Sequence, residues 1–516
     1  MTSWALLLLA GMASRGPGPS TAEGNAYGEA LGALEMWDLP RAHSLIASLE
    51  ASEGDTPVVN ELRGRERFFT GDYAGSTELL SGTDSPYASL ADSTLAETRA
   101  YEQRESAHFL LRYPRGKDEI LVPYALQTLE EARTRIGQDL GFLPEDRIRV
   151  EILRDPSALS RLSSLTEEEI KASGTIALCK YNKLMVVSPR ALVTGYAWQD
   201  TLAHELTHYL ITRESQNKTP IWLHEGIAKF EESRWRGAAG EALAPSAVAL
   251  LMRRLREGTL ISFERMHPSI AMLPTQEDAA LAFAEVFTTI EYLVKERRVS
   301  LASLLTKLRD GKSDTEAVEL AAGEPFDRLT RDWKAYLQAR PMPKEMLPLS
   351  PPKLKFKDDP DRPQAAEETD PELRDIPDAT ARRFAHLGSL LLARSRASAA
   401  LIELGKAEGR AGARSPTLSN LYAQALLRAG RTDEAERVLK ASLLPFPDIA
   451  QTHLQLGQAE LKSEQWELAR QELLAANAID PFDPQIHSGL LKVAQVKNDT
   501  AGAAEETEVL SRLRSN

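Results

Sequence analysis

Apolar positions along this chain follow two periods, and the places where one gives way to the other divide it into sections. From residue 25 to about 100 the period is helical. Ala30 and Ala42 stand twelve apart, as do Gly64 and Ser76, and each lies thirty-four from its counterpart. Small side chains at that spacing let paired helices approach closely, and Gly71-Asp72-Tyr73 supplies a turn between them. Between 105 and 200 the pattern is mixed. Residues 107–113 and 148–153 alternate as strands, 121–140 reads as a helix, and 174–179 with 183–188 form a strand pair around Lys180-Tyr181-Asn182. Residues 240–340 return to the helical period and end in a helix over Asp332–Leu337. From Pro341 to Pro377 nine prolines stand among mixed charges with almost no apolar period, the composition of a semi-extended tether. Past residue 384 a thirty-four-residue repeat is plain, in the pairs Ala423 and Gly457, Ala435 and Ala469, Pro447 and Pro481.

The middle section carries the chemistry. Residues 204–208 read His-Glu-Leu-Thr-His, and Glu225 follows seventeen positions after His208. Residues four apart share a helix face, so His204 and His208 can aim their imidazoles at one point. Zn²⁺ accepts two imidazoles and a carboxylate and keeps a fourth position for water. Glu205 is rotated about 100° from its neighbour around the helix, toward that water rather than the metal. Leu202, Leu206 and Leu210 hold a helical period through the motif, which places it on a helix with a buried face. A polar break from Arg213 to Pro220 precedes a second helix that begins near Ile221 and returns Glu225 antiparallel to the histidines. The competing interpretation is an amphipathic helix whose histidines bind nothing, and the placed second carboxylate argues against it. Glu231 and Glu232 read as solvated helix glutamates. His224 reads as a surface or supporting histidine, because a fourth protein ligand would close the site.

At these residues the chain resembles the gluzincin zinc peptidases, which combine HExxH with a downstream glutamate. The nearer resemblance is to bacterial peptidase MA-like domains, whose second motif is Trp-Leu-x-Glu-Gly-x-Ala. Trp222-Leu-His-Glu225-Gly-Ile-Ala228 matches it at every fixed position, and the resemblance covers about residues 105–340. It implies one Zn²⁺ bound by His204, His208 and Glu225, with Glu205 as general base in peptide-bond hydrolysis. It also implies that one of the strands forms a sheet edge beside the cleft, where a peptide could add as a strand. One element departs from the pattern. Relatives carry tyrosines in the helix after the site, whereas Ala282-Phe283-Ala284-Glu285-Val286-Phe287 carries phenylalanines. An oxyanion donor is worth about 10²–10³ in rate. Tyr292 and His267 are the substitutes the sequence offers.

The expected fold is an α+β zincin-like metallopeptidase domain over 105–340, flanked by all-α tetratricopeptide-like helical repeats over 25–100 and 381–516, with a linker over 341–380. The good repeats are 416–449 and 450–483, with degenerate ones at 381–414 and 484–516; such arrays bind peptides or proteins, or serve as stabilising caps. Net charge is −13 over 516 residues with no basic cluster, which speaks against nucleic acid as a partner. Cys179 is the only cysteine, so the chain has no internal disulfide, and it falls in an apolar run that reads as strand. The ten apolar residues near Met1–Ala13 are too few to span a bilayer but fit a secretory signal over 1–20, although no Lys or Arg precedes them. The expectation is a periplasmic or secreted protein without a membrane span. It acts on a peptide or protein substrate and meets protein partners through the repeats. The alternative is a catalytically degenerate peptidase fold that serves as a scaffold in the cell envelope.

Overall fold

Short polar caps start four of the five N-terminal helices. These are α1 (Glu23–Glu35), α2 (Leu39–Glu53), α3 (Pro57–Thr70), α4 (Tyr73–Leu80) and α5 (Pro86–Thr98); Asp38, Thr56, Asp72 and Ser85 cap the last four. The small-residue spacing has its expected use. A Cβ on Gly64 would stand 2.5 Å from the Leu80 side chain, and Ser76 Oγ donates to Gly64 O at 2.8 Å. The computed structural model describes residues 23–267, 269–340, 356–357, 373 and 375–514. The expected signal segment and most of the proline-rich stretch lie outside the described residues.

Five strands follow: β1 (Tyr101–Glu105), β2 (Phe109–Pro114), β3 (Ile148–Leu153), β4 (Ala177–Lys180) and β5 (Lys183–Val187). Their order is β1-β2-β3-β5-β4, with β2, β3 and β5 parallel and both edge strands antiparallel to their neighbours. β4 and β5 are joined through Tyr181 and Asn182 at φ 57° and 56°, the left-handed pair that a two-residue hairpin requires. β1 has no apolar alternation and is largely exposed, which is why sequence pattern does not show it. The helix α6 (Leu121–Leu140) has the expected bounds, and α7 (Pro156–Arg161) and α8 (Glu167–Ser173) lie between β3 and β4.

Beyond the sheet come α9 (Trp198–Ser215), α10 (Ile221–Glu231), α11 (Pro245–Glu257), α12 (Gln276–Glu291), α13 (Leu301–Arg309), α14 (Asp314–Ala322) and α15 (Phe326–Ala339). α9 ends where Gln216 and Asn217 take positive φ, and the reversal sends α10 back alongside it. One apolar cluster unites the sheet with α6, α9, α10 and α12; it reaches Phe68 and Tyr73 in the N-terminal helices and Val509 near the C-terminus.

The C-terminal array is four helix pairs: α16 (Ala379–Ala393) with α17 (Ala397–Ala411), α18 (Pro416–Arg428) with α19 (Thr432–Leu443), α20 (Ala450–Lys462) with α21 (Trp466–Asn477), and α22 (Pro484–Val496) with α23 (Thr500–Arg514). A Cβ on Gly388 would meet Leu404 at 2.4 Å, and one on Gly457 would meet Leu473 at 2.9 Å; glycine is what lets the pairs close. The stretch expected to be a free tether is docked where it is described. Phe356 is 2% exposed and bridges to Leu192, and Leu373 and Ile376 enter the core of the first pair. Prolines hide this pattern, but isolated apolar side chains between them still gain from burial. Among the described residues, no helix is long and apolar enough to cross a membrane.

Candidate metal centre

α9 departs from the amphipathic expectation. Every residue from Trp198 to Thr212 except Asp200 is buried, so the helix has no solvent face along the motif. Its polar side chains must therefore find partners inside the protein.

The helix reversal brings the expected ligands together. His204 Nε2 and His208 Nε2 stand 3.0 Å apart, and Glu225 Oε2 lies 3.7 Å and 3.6 Å from them. These are the only three His, Cys, Asp or Glu side chains among the described residues that converge this way as a potential metal site. Tetrahedral bonds of about 2.0–2.1 Å hold ligand atoms about 3.3–3.4 Å apart, and the observed separations bracket that value. His204 and Glu225 are 2% exposed, and His208 and Glu205 are fully buried. Both oxygens of Glu205, and Oε2 of Glu225, are buried without a side-chain hydrogen-bond partner, and the Cys179 backbone N–H faces Glu205. Two imidazoles and a carboxylate, with a second carboxylate left without a side-chain partner beside them, fit a divalent zinc ion.

Electrostatics agree. Burial opposes charge on His204, but Glu225 and Glu232 outweigh it and push the imidazole up to about 9. Burial, with Glu225 adding to it, pushes Glu205 up to about 8 against the pull of His204. Burial raises Glu225, and burial with His204 and His224 beside it drives His208 well down. A pocket that gathers carboxylates and strains to keep them charged favours a cation.

The surrounding residues decide one expectation and correct another. His224 is fully buried rather than on the surface: its Nδ1 lies 2.6 Å from His208 Nδ1, and its Nε2 lies 3.3 Å from Thr212 Oγ1. With Nε2 of His208 turned to the ligand cluster, its Nδ1 carries the proton and donates to His224, whose Nε2–H then donates to Thr212. Glu231 and Glu232 are not solvated. Glu231 is 1% exposed, and Glu232 Oε2 faces His204 Nδ1 at 3.4 Å, off the hydrogen-bond axis, while Lys229 holds its other oxygen. The reason is that α10 is buried along its whole length and Glu232 follows directly at its end. Sequence reasoning also missed Thr212, although it stands one turn past His208 on the same face.

The edge strand is β4. Cys179 lies there, 3% exposed, close enough for Glu205 to add to the burial that raises its thiol. Tyr196 is likewise near Glu205, with its hydroxyl donating to Val187 O. Of the two substitute donors, Tyr292 packs at a tilt against Tyr336, and His267 is exposed. Phe283 and Phe287 are buried in α12, which packs on α10; a Cβ on Gly226 would already touch Ile290 at 2.8 Å.

Two family models match parts of this chain. Residues 128–339 match the family model of the Peptidase MA superfamily, and residues 426–493 match a tetratricopeptide repeat model. No curated protein matches the chain. Among solved structures, native yeast LTA4 hydrolase is similar at 11% identity over 80% of this chain and 67% of that one, with a TM-score of 0.31. The APC/C hetero-tetramer Cut9-Hcn1 is similar at 15% identity over 96% of this chain and 81% of that one, with a TM-score of 0.27. The MamA RS-1 ArsTM double mutant is similar at 23% identity over 26% of this chain and 74% of that one, with a TM-score of 0.24. These likenesses are too faint to bear on the chemistry. The family models, with the α+β architecture, establish that the chain carries a Peptidase MA superfamily domain, a metallopeptidase-type fold, together with tetratricopeptide repeats.

Proposed function

We propose that the chain hydrolyses peptide bonds at one zinc ion held by His204, His208 and Glu225, with Glu205 as general base. The observation that carries the reading is the convergence of three ligand atoms beside a buried carboxylate that no side chain hydrogen-bonds. Zinc, when bound, would bring a water molecule's pKa toward neutrality and polarise a carbonyl. Glu205 has the proton affinity to take a proton from such a water and pass it to the leaving amine, because burial raises it. His224 holds His208 in the tautomer that leaves Nε2 free for the ligand cluster, and Glu232 places a carboxylate oxygen 3.4 Å from Nδ1 of His204. The free side of β4, next to Glu205, is where an extended peptide would pair. On this reading the repeats recruit substrate or protein partners, and the apolar N-terminal segment exports the chain to the periplasm or beyond.

Metal analysis and peptide-pool cleavage test it together. Purified protein should carry stoichiometric zinc that His204→Ala loses. Glu205→Gln should keep the zinc and lose cleavage of a random peptide pool. Wild-type protein without zinc would end the enzyme reading. A second reading, a zinc-holding but inactive scaffold, is favoured by the buried Phe283 and Phe287 in place of the tyrosines, and by a site at most 2% exposed. Zinc uptake by wild type with no cleavage of any pool member would select it.

A further inference from the structure

α9 begins without a side-chain cap, since Ala197 occupies the cap position. Donors at that end reach carbonyls about 280 residues away. The Trp198 backbone N–H is shared between Tyr196 O at 2.7 Å and Ala478 O at 3.2 Å, the Tyr196 N–H donates to Ile479 O at 3.0 Å, and the Trp198 indole Nε1–H donates to Asn477 O at 3.2 Å. Asn477 ends α21, so the carbonyls left open at the C-terminus of one helix satisfy the amides left open at the N-terminus of the other. The two macrodipoles meet with opposite ends together. Most of the parties are deep: Tyr196 and Trp198 are 1% exposed, Asn477 is fully buried and Ile479 is 4% exposed, while Ala478 is half-buried. Gly195 takes φ +65°, and a Cβ there would lie 2.2 Å from Ile479 O. The approach therefore requires glycine on two counts.

The same segment is tied on its other side. Tyr196 donates to Val187 O at the end of β5, Lys357 N–H donates to Ala191 O, and Ser188 and Arg190 both hold Asp118 at 2.5 Å. Arg190 also lies over the ring of Phe482, just past α21. Residues 188–197 thus form a strap between the sheet and the repeats, and the motif helix starts where the strap ends.

Building on the zinc reading above, we infer that the carboxyl end of α21, Asn477–Ile479, is a positioning element of the metal centre. It fixes the strap and the first turn of α9, and through that rigid helix the pose of His204 and Glu205 less than three turns on. The third repeat pair is then part of the metallopeptidase site rather than an appended recruitment arm. Its inner face can serve partners, but its α21 end is committed inward.

The test uses the full chain and three variants. Trp198→Phe keeps an aromatic ring of smaller volume and removes the bond to Asn477 O. Gly195→Ala forces the strap from Ile479. Leu404→Ala weakens the array in the separate core of the first repeat pair and leaves the strap untouched. Zinc affinity is read by chelator competition, and backbone hydrogen exchange is followed over residues 195–208. Trp198→Phe and Gly195→Ala should weaken zinc about tenfold, the effect of losing a supporting contact at a metal site, and should speed exchange at the start of α9. Leu404→Ala should do neither. If Gly195→Ala does not accumulate, Trp198→Phe decides alone. Variants that match wild type in zinc affinity or in exchange overturn the positioning role while the zinc reading stands. So does a Leu404→Ala protein that loses as much as they do. Wild-type protein that takes up no zinc overturns both, and is recognised before any variant is compared.

Discussion

His224→Phe is the most telling change at the metal centre outside the ligands. His224 is fully buried, and its Nδ1 receives the proton of His208 Nδ1 at 2.6 Å. Phenylalanine has nearly the same shape and no acceptor. His208 would keep its Nδ1–H in a fully buried position with nothing to accept it, or turn its proton to Nε2 and lose the lone pair needed for a metal. A buried donor left without a partner costs about 1–3 kcal/mol, which is about 10–100-fold in an equilibrium constant. Zinc dissociation constants from chelator competition should therefore rise by about one to two orders of magnitude, as for other outer partners of metal-binding histidines. His224→Asn is the control: its amide oxygen sits where Nδ1 does and should restore most of the affinity. Wild-type affinity in the phenylalanine variant would refute the hydrogen-bond argument. So would an asparagine variant as weak as the phenylalanine one, because volume rather than the acceptor would then be what matters.

Away from the metal, Glu285 in α12 is 1% exposed; burial pushes its carboxyl up to about 8 while it accepts the Ile261 N–H at 2.9 Å. An acid whose folded pKa lies above its unfolded value holds a proton the unfolded chain has released, so its contribution to stability falls as pH rises from about 4.5 toward 8. At about 1.4 kcal/mol per unit the ceiling is about 5 kcal/mol, and urea melts of Glu285→Gln should lose that part of the slope; an unchanged slope would show the carboxyl is ionised in the fold. Lys183, fully buried, bonds Glu151 Oε2 at 2.7 Å and the Tyr73 hydroxyl at 2.9 Å, tying the N-terminal helices to the sheet. Lys183→Ala should cost about 3–5 kcal/mol in urea unfolding, whereas pairing Lys183→Met with Glu151→Leu should recover much of it; equal losses would mean packing, not the stranded carboxylate, sets the cost. Glu232→Gln should lower zinc affinity less than His224→Phe does, because Glu232 faces His204 at 3.4 Å and off axis; a larger loss would reverse that ranking.

Local pattern carried much of this architecture. The bounds of α6 and β3, the hairpin between β4 and β5, and the small-residue contacts at Gly64 and Gly457 all follow from periods and spacings a few residues long. The ligands were legible for the same reason: helix geometry pairs His204 with His208, and a short polar break returns Glu225 to them. What the pattern misses is non-local. Glu231 and Glu232 look solvated because charged residues in a helix usually are, and only the packing around α10 removes their solvent face. Phe356 lies among prolines, and its pairing with Leu192 depends on a partner 164 positions away. The cap of α9 belongs to the same class, since no residue near Ala197 announces that helix α21 will supply it.

A motif helix buried on nearly every side explains why the chain is built in three sections. Nine of the residues from Gln199 to Arg213 are polar or charged, so solvent cannot be excluded from α9 unless other segments offer partners. Each section offers some. From the N-terminal helices, Trp37 stacks on Tyr209 with ring centroids 5.5 Å apart. From the α+β section, Thr128 Oγ1 accepts from Gln199 at 2.7 Å, and the Trp235 indole donates to Asp200 at 2.8 Å. From the repeats come the carbonyls at 477–479. Burial raises the proton affinity of Glu205 on that helix, because water that could solvate the carboxylate is kept out. The repeats take part in enclosing α9 at its first turn, a part that neither their period nor the motif reveals by itself.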